Sequence, residues 1–128
     1  MPKLIILDTN FLMIPYQFKV DIFSEIARIC DFSYSLAVLD KTIGELKTIK
    51  SRQRGRNRLA ASFSLKLLKG KDLKIIRTLS QKSADDLLAG YAERGAVIAT
   101  QDSALRRAIR EKGGRTIFLR NKRFLVLG

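Results

Sequence analysis

Runs of consecutive apolar residues alternate along this chain with stretches in which apolar residues recur every three or four positions. The first run, Lys3–Leu7, is apolar on both faces and predicts a fully buried strand. In Val20–Cys30, Ile22, Phe23, Ile26 and Ile29 fall at helical intervals, and Phe32–Leu39 alternates before running apolar as a second strand. The helix predicted next, KTIGELKTIK, keeps Ile43, Leu46 and Ile49 on one stripe. Asp40 is placed to cap that helix, and Gly44 is its weak point. Leu59–Leu68 predicts another amphipathic helix ending near Gly70, and Leu73–Ile76 a short third strand. Ser83–Arg94 predicts a helix stopped by Gly95, and Ala96–Thr100 a fourth strand. Ser103–Lys112 predicts a helix closed by Gly113 and Gly114, and Thr116–Leu119 a fifth strand.

Strands alternating with helices predict an α/β fold of three layers, α/β/α, around a parallel sheet. At 128 residues, without repeats, low-complexity tracts or a linker, the chain reads as one domain over 1–128. No apolar stretch approaches the ~20 residues of a membrane span, and the N-terminus lacks a signal-peptide pattern, so no membrane partner is expected. The single Cys30 excludes an internal disulfide and fits a cytoplasmic protein, with Cys30 itself read as a small core residue.

Parallel sheets bind ligands outside the carboxyl ends of their strands. Four acids fall at such places. Asp8 ends the first strand and Asp102 the fourth, Asp85 sits in the first turn of the Ser83–Arg94 helix, and Glu45 lies one or two turns into the helix after strand two. Each has an ordinary structural explanation as well. Asp8, Thr9 and Asn10 suit a turn, Asp102 suits a helix cap, Asp85 favours the helix dipole, and Glu45 suits an ion pair with Lys41. Asp86 with Ser83 fits a capping pattern. Taken together, the four acids at one sheet edge point to a site. With no histidine and one cysteine, His/Cys zinc sites and His-based triads are excluded, and acid–base or metal chemistry must rest on carboxylates. Crowded carboxylates ionise together only beside a cation, and oxygen-only donors favour Mg²⁺ or Mn²⁺, which can activate water against a phosphodiester.

Charge supports a polyanionic partner. The chain carries 25 Lys and Arg against 12 Asp and Glu, a net +13. Leu46–Lys82 holds 12 basic residues and the single acid Asp72; Ser103–Gly128 holds 8 and the single acid Glu111. The remainder is net negative. A polyanion footprint thus lies beside a cation-binding region, the bland alternative being a solvated Lys/Arg-rich face.

The segments "LIILDTNFLM", "VLDKTIGELKTI", "SADDLLAGYAERGAVIATQD" and "SALRRAIREKG", in this order and spacing, resemble the PIN-domain ribonucleases over nearly the whole chain. The resemblance implies a five-stranded parallel sheet, a metal-dependent endoribonuclease, and metal binding by Asp8, Glu45, Asp85 and Asp102. The family's register of Leu87, Leu88 and Ala92 selects Asp85 over Asp86, which stays as an auxiliary candidate. Asn10 and Thr100 match polar positions at the family's site, where they would orient acids or waters. "MIPYQFKVDIFSEI" and "IFLRNKRFLVL" look more like the PIN proteins of small-subunit rRNA processing, implying an rRNA precursor as substrate. Two other readings stay open: a VapC-like toxin of a toxin–antitoxin pair, and an RNA-binding ribosome assembly factor with little or no turnover. A second copy of the chain and ribosome assembly factors are candidate partners.

The tract "KTIKSRQRGRNR" sets Lys47, Lys50, Arg52, Arg54, Arg56 and Arg58 directly after Glu45. Its alternating arginines leave a single helical face, so part of the tract is expected to be a mobile loop whose arginines bind phosphates and stack on bases. Arg120, Lys122 and Arg123 of "RNKRF" form a second RNA-binding candidate. Phe11, Phe18, Phe23, Phe63 and Tyr91 fall on apolar stripes and are expected in the core.

Overall fold

A computed structural model describes residues 2–128. Its sheet comprises β1 (Lys3–Leu7), β2 (Tyr34–Leu39), β3 (Lys74–Ile76), β4 (Val97–Ala99), β5 (Thr116–Arg120) and β6 (Phe124–Leu127), in the order β3-β2-β1-β4-β5-β6. The helices are α1 (Thr9–Leu12), α2 (Ile14–Phe18), α3 (Ile22–Ile29), α4 (Asp40–Arg52), α5 (Arg56–Lys69), α6 (Ala84–Glu93) and α7 (Ser103–Glu111). Strands β1 to β5 are mutually parallel, and β6 returns antiparallel along β5.

The sheet separates two apolar layers because successive side chains on a strand face opposite ways. Ile5, Leu7, Val38, Val97, Ala99 and Ile117 face α1, α3, α4 and α5, where they meet Phe11, Ile22, Ile26, Leu46 and Ala60. Ile6, Ala37, Leu39 and Ile98 face α6 and α7, where they meet Leu88, Ala92, Leu105 and Ile109. With helices on both faces, the inner strands read as continuous apolar runs, which is why the sequence located them.

The expected three-layer α/β fold is therefore present, with six strands in place of five. The sixth was hidden by its turn. Asn121 and Lys122 both adopt left-handed backbone, φ 55° and 56°, at the hairpin tip, and a lysine there gives no glycine-like turn signal. Helices α1 and α2, of four and five residues, are too short to show a helical period. Phe18 and Phe63, expected in the core, are 36% and 40% exposed. Phe63 instead packs on Tyr16, ring centroids 5.9 Å apart.

The tract after Glu45 is mostly helix: α4 runs to Arg52, only 53–55 intervene, and α5 starts at Arg56. Gly55, at φ 68° and ψ −138°, supplies a backbone conformation that side chains resist. Asp40 is also corrected. It is the first residue of α4, with Leu39 in the cap position, and its carboxylate accepts from Lys41 N at 2.8 Å, Thr78 N at 3.0 Å and Thr78 Oγ1 at 2.6 Å. Those bonds hold it below the usual carboxylate pKa and anchor the segment that leads into α6.

The outer edge of β6 is closed by α3. Glu25 Oε1 accepts from Leu125 N at 2.9 Å, and Arg28 Nη2 donates to Leu125 O at 3.2 Å. The two side chains also pair with each other at 2.9 Å, so the outward N–H and C=O of Leu125 on this edge strand are occupied.

Candidate active site

Parallel strands all end at the same sheet edge, and the chain's path reverses there between β1 and β4. From β1 it steps outward to β2 and β3, then crosses back to β4 on the other side. A crevice opens at such a reversal. Here it is a cleft of about 410 Å³ whose wall includes Asp8, Thr9, Asn10, Glu45, Asp85 and Asp102.

Each acid arrives on a different element. Asp8 directly follows β1, where its φ of −79° and ψ of 162° leave the strand and cap α1 through Thr9 N at 2.8 Å. Its other oxygen accepts from Thr100 Oγ1 at 2.8 Å, across to the end of β4. Asp102 caps α7, one oxygen accepting from Ala104 N at 2.9 Å and Leu105 N at 3.1 Å. Glu45 comes from the second turn of α4, and Asp85 from the first turn of α6, which Ser83 caps through Asp86 N at 3.1 Å. The ordinary explanations for Asp8 and Asp102 are thus correct as local structure, and the cleft is built on top of them. The alternative offered for Glu45 is absent: neither ion pair among the described residues joins it to Lys41.

The auxiliary candidates divide. Thr100 is fully buried and, besides its bond to Asp8, accepts from Asp102 N at 3.1 Å. Asn10 Oδ1 accepts from Gln101 N at 3.0 Å, and Gln101 Oε1 in turn accepts from Leu119 N at 2.7 Å. This chain of bonds fixes the β4–α7 turn between β1 and β5. Asp86 is exposed and lies outside the cleft wall. The sequence reading missed Asp40, whose clamp on Thr78 tethers the approach to Asp85 and looks in sequence like an ordinary cap.

The acids feel one another. Burial pushes the Asp8 carboxyl up from its ordinary value, the bonds from Thr100 and Thr9 partly offset this, and the charges of Asp85 and Asp102 add to the rise. Burial and then the Asp8 charge raise Glu45. Burial, Asp102 and Asp86 raise Asp85. Like charges in a half-buried cleft disfavour joint ionisation unless a cation neutralises them. Among the described residues, no three carboxylates are gathered tightly enough to hold a metal ion by themselves. Thr9 Oγ1 lies buried on the cleft wall beside the Glu45 carboxyl, whose rise it partly offsets without making a well-formed hydrogen bond.

Next to this acidic cleft, the far side of α4 carries the opposite charge. Lys47, Lys50, Arg58, Lys66 and Lys69 line a groove of about 500 Å³ between α4 and α5, with no acid in its wall. Because α4 contributes Glu45 and Ile49 to the cleft and Lys47 and Lys50 to the groove, one helix separates them. Arg52 ends α4, Arg54 occupies the connecting loop and Arg56 opens α5. Arg120, Lys122 and Arg123 surround the β5–β6 hairpin tip on the opposite flank.

The fold and sequence have known counterparts. The PIN domain endonuclease Utp24 superposes with a TM-score of 0.77 over 98% of this chain and 91% of its own, at 23% identity. Ribonuclease VapC9 of Archaeoglobus fulgidus is 30% identical over 110 residues, 84% of this chain and 76% of that protein. Ribonuclease VapC4 of Methanocaldococcus jannaschii is 28% identical over 127 residues, 96% of this chain and 95% of that protein. No helix among the described residues is long and apolar enough to cross a membrane. With the model of the PIN like domain matching residues 5–122, nearly the whole of this sheet-and-helix frame, the chain belongs to the PIN-like domain family.

Proposed function

We propose that this protein is a metal-dependent endoribonuclease that cuts single-stranded or looped RNA, with an rRNA precursor as its substrate. One observation carries the reading: four acids from four separate elements converge on one cleft at the topological reversal of the sheet. Ribonuclease relatives at 28–30% identity support the reaction class.

The donor set fits a hard divalent ion. All donors are oxygens, and three of the four carboxyls resist ionising together. The spread of the acids suits Mg²⁺ or Mn²⁺, since Mg²⁺ takes one or two carboxylates directly and keeps several waters. In this reading Asp8, Glu45, Asp85 and Asp102 would hold the ion, directly or through its waters, and the ion when bound would offset phosphate charge and ease the deprotonation of a water for attack on the phosphodiester. The chain's own residues do the rest. Thr100 fixes the orientation of Asp8, Asn10 holds the turn that presents Asp102, and Asp40 steadies the approach to Asp85. The α4–α5 groove receives the RNA backbone on Lys47, Lys50 and Arg58, with Arg52, Arg54 and Arg56 on the connection that joins the two helices.

The test is incubation with small-subunit precursor RNA, with and without Mn²⁺, followed by mapping of the ends. Discrete new ends that require Mn²⁺ support the proposal. Tight binding without product at any Mn²⁺ concentration supports an assembly factor instead. Likeness to two VapC ribonucleases favours a second reading, a toxin of a toxin–antitoxin pair. Growth arrest on expression, relieved by a neighbouring gene, separates it from rRNA processing.

A further inference from the structure

The acidic cleft and the α4–α5 groove leave out a cationic cluster on the β5 side of Asp102, in which Arg120, already an RNA-binding candidate, is joined by residues of α7. Phe118 and Arg120, two apart on β5, face the same side of the sheet, the side covered by α7. The Arg106 guanidinium carbon stands 3.9 Å from the Phe118 ring centroid, and that of Arg120 stands 5.5 Å from it. Arg106 lies one turn after Asp102, its N–H donating to Asp102 O at 3.0 Å, and Arg110 lies one turn further along α7.

No carboxylate neutralises this cluster. The two ion pairs among the described residues are Glu25–Arg28 and Glu93–Lys112, and Asp102 is engaged with the α7 backbone. Burial, together with the charges of Arg110 and Arg120, lowers the proton affinity of Arg106, and its buried Nε has no acceptor. Two guanidinium groups thus share one aromatic ring with a third like charge close by, and apart from the ring nothing within the described residues offsets their repulsion. A guanidinium stacked on a ring is pre-oriented, and its planar fork matches the oxygens of a phosphate.

We propose that Arg106 and Arg120, seated on Phe118, together with Arg110 one turn along α7, bind a phosphate of the RNA strand after it passes the acidic cleft. The strand is then held on both flanks, by the α4–α5 groove on one side of the acids and by this cluster on the other. Position favours RNA over an acidic protein: the cluster begins one helical turn from an acid of the cleft, where a strand reaching that acid must continue. The inference rests on the reading of the cleft as an RNA site.

Equilibrium binding of a single-stranded RNA oligonucleotide to the full chain in EDTA, across a salt series, tests it without cleavage. Arg106→Gln with Arg120→Gln is expected to weaken binding about tenfold and to flatten the log–log salt slope by about 0.7, the share of one phosphate contact on a single strand. Arg106→Lys keeps the charge and loses the fork, so it is expected to weaken binding with the slope kept. Because Arg106 packs on Phe118, the exposed pair Arg110→Gln with Arg120→Gln provides a second variant that leaves the fold alone, expected to act in the same direction. Unchanged affinity and slope in both double variants, while the unmodified protein binds RNA, overturn the cluster and leave the endonuclease reading standing. Absence of RNA binding by the unmodified protein overturns both. Variants that lose affinity for polyglutamate but not for RNA assign the cluster to an acidic protein and also overturn it.

Discussion

Thr100 Oγ1 donates a 2.8 Å hydrogen bond to Asp8 Oδ2, joining the residues that leave β1 and β4 at the point where the sheet reverses. The same hydroxyl accepts from Asp102 N, so one buried side chain sets the geometry of two acids. Thr100→Val keeps the shape and removes both bonds. It is expected to cost about 1–2 kcal/mol in denaturant unfolding and to weaken Mn²⁺ binding about 10–100-fold by calorimetry. Thr100→Ser is expected to restore most of the affinity. Mn²⁺ affinity unchanged in Thr100→Val would remove Thr100 from the account.

One source of acid sensitivity of the fold lies far from the cleft, at the β6 edge. The Arg28 side chain and then the Leu125 N–H hold the Glu25 carboxyl below its ordinary value of 4.5. A depressed pKa means that the unfolded chain binds the proton more readily, so the stabilisation is complete above the ordinary value and fades as pH falls through the folded one. Glu25→Gln keeps an acceptor for Leu125 and loses the charge. Its stability deficit, measured by thermal melts, is therefore expected near neutral pH and should close on acidification. A deficit that persists at low pH would mean that shape, and not charge, supports the edge.

Two glycines make opposite predictions. A Cβ at Gly44, in the middle of α4, meets nothing within 4 Å, so Gly44→Ala is expected to stabilise by about 0.5–1 kcal/mol. A Cβ at Gly114 falls 2.6 Å from Ile109 Cγ2 and 3.2 Å from Ile109 O, so Gly114→Ala is expected to cost about 1–3 kcal/mol. Urea unfolding of both variants checks the pair. A destabilised Gly44→Ala would point to a close approach at α4 that the free chain does not show.

Much of this site could be read in the sequence because its acids sit where periodicity changes. Asp8 and Asp102 mark strand ends, Asp85 a helix start, and Glu45 the second turn after a strand, and a parallel sheet sends all four places to one edge. What escaped depends on contacts between distant residues. Asp40 looks like a cap until Thr78 is beside it, and Arg106 looks like a solvated helix residue until Phe118 and Arg120 come underneath. The β6 strand escaped because its turn uses Asn121 and Lys122 in left-handed backbone, without the glycine that announces such turns.

Cleavage of a single-stranded RNA in saturating Mn²⁺ by the unmodified protein and by Asp8→Asn tests the central claim most directly. Asparagine keeps an acceptor for Thr9 N, gives up the one that Thr100 Oγ1 uses, and removes a buried charge that the metal-free fold disfavours. Asp8→Asn is therefore expected to fold and bind RNA like the unmodified protein while its cleavage falls to background. Cleavage by Asp8→Asn at the unmodified rate would contradict the account.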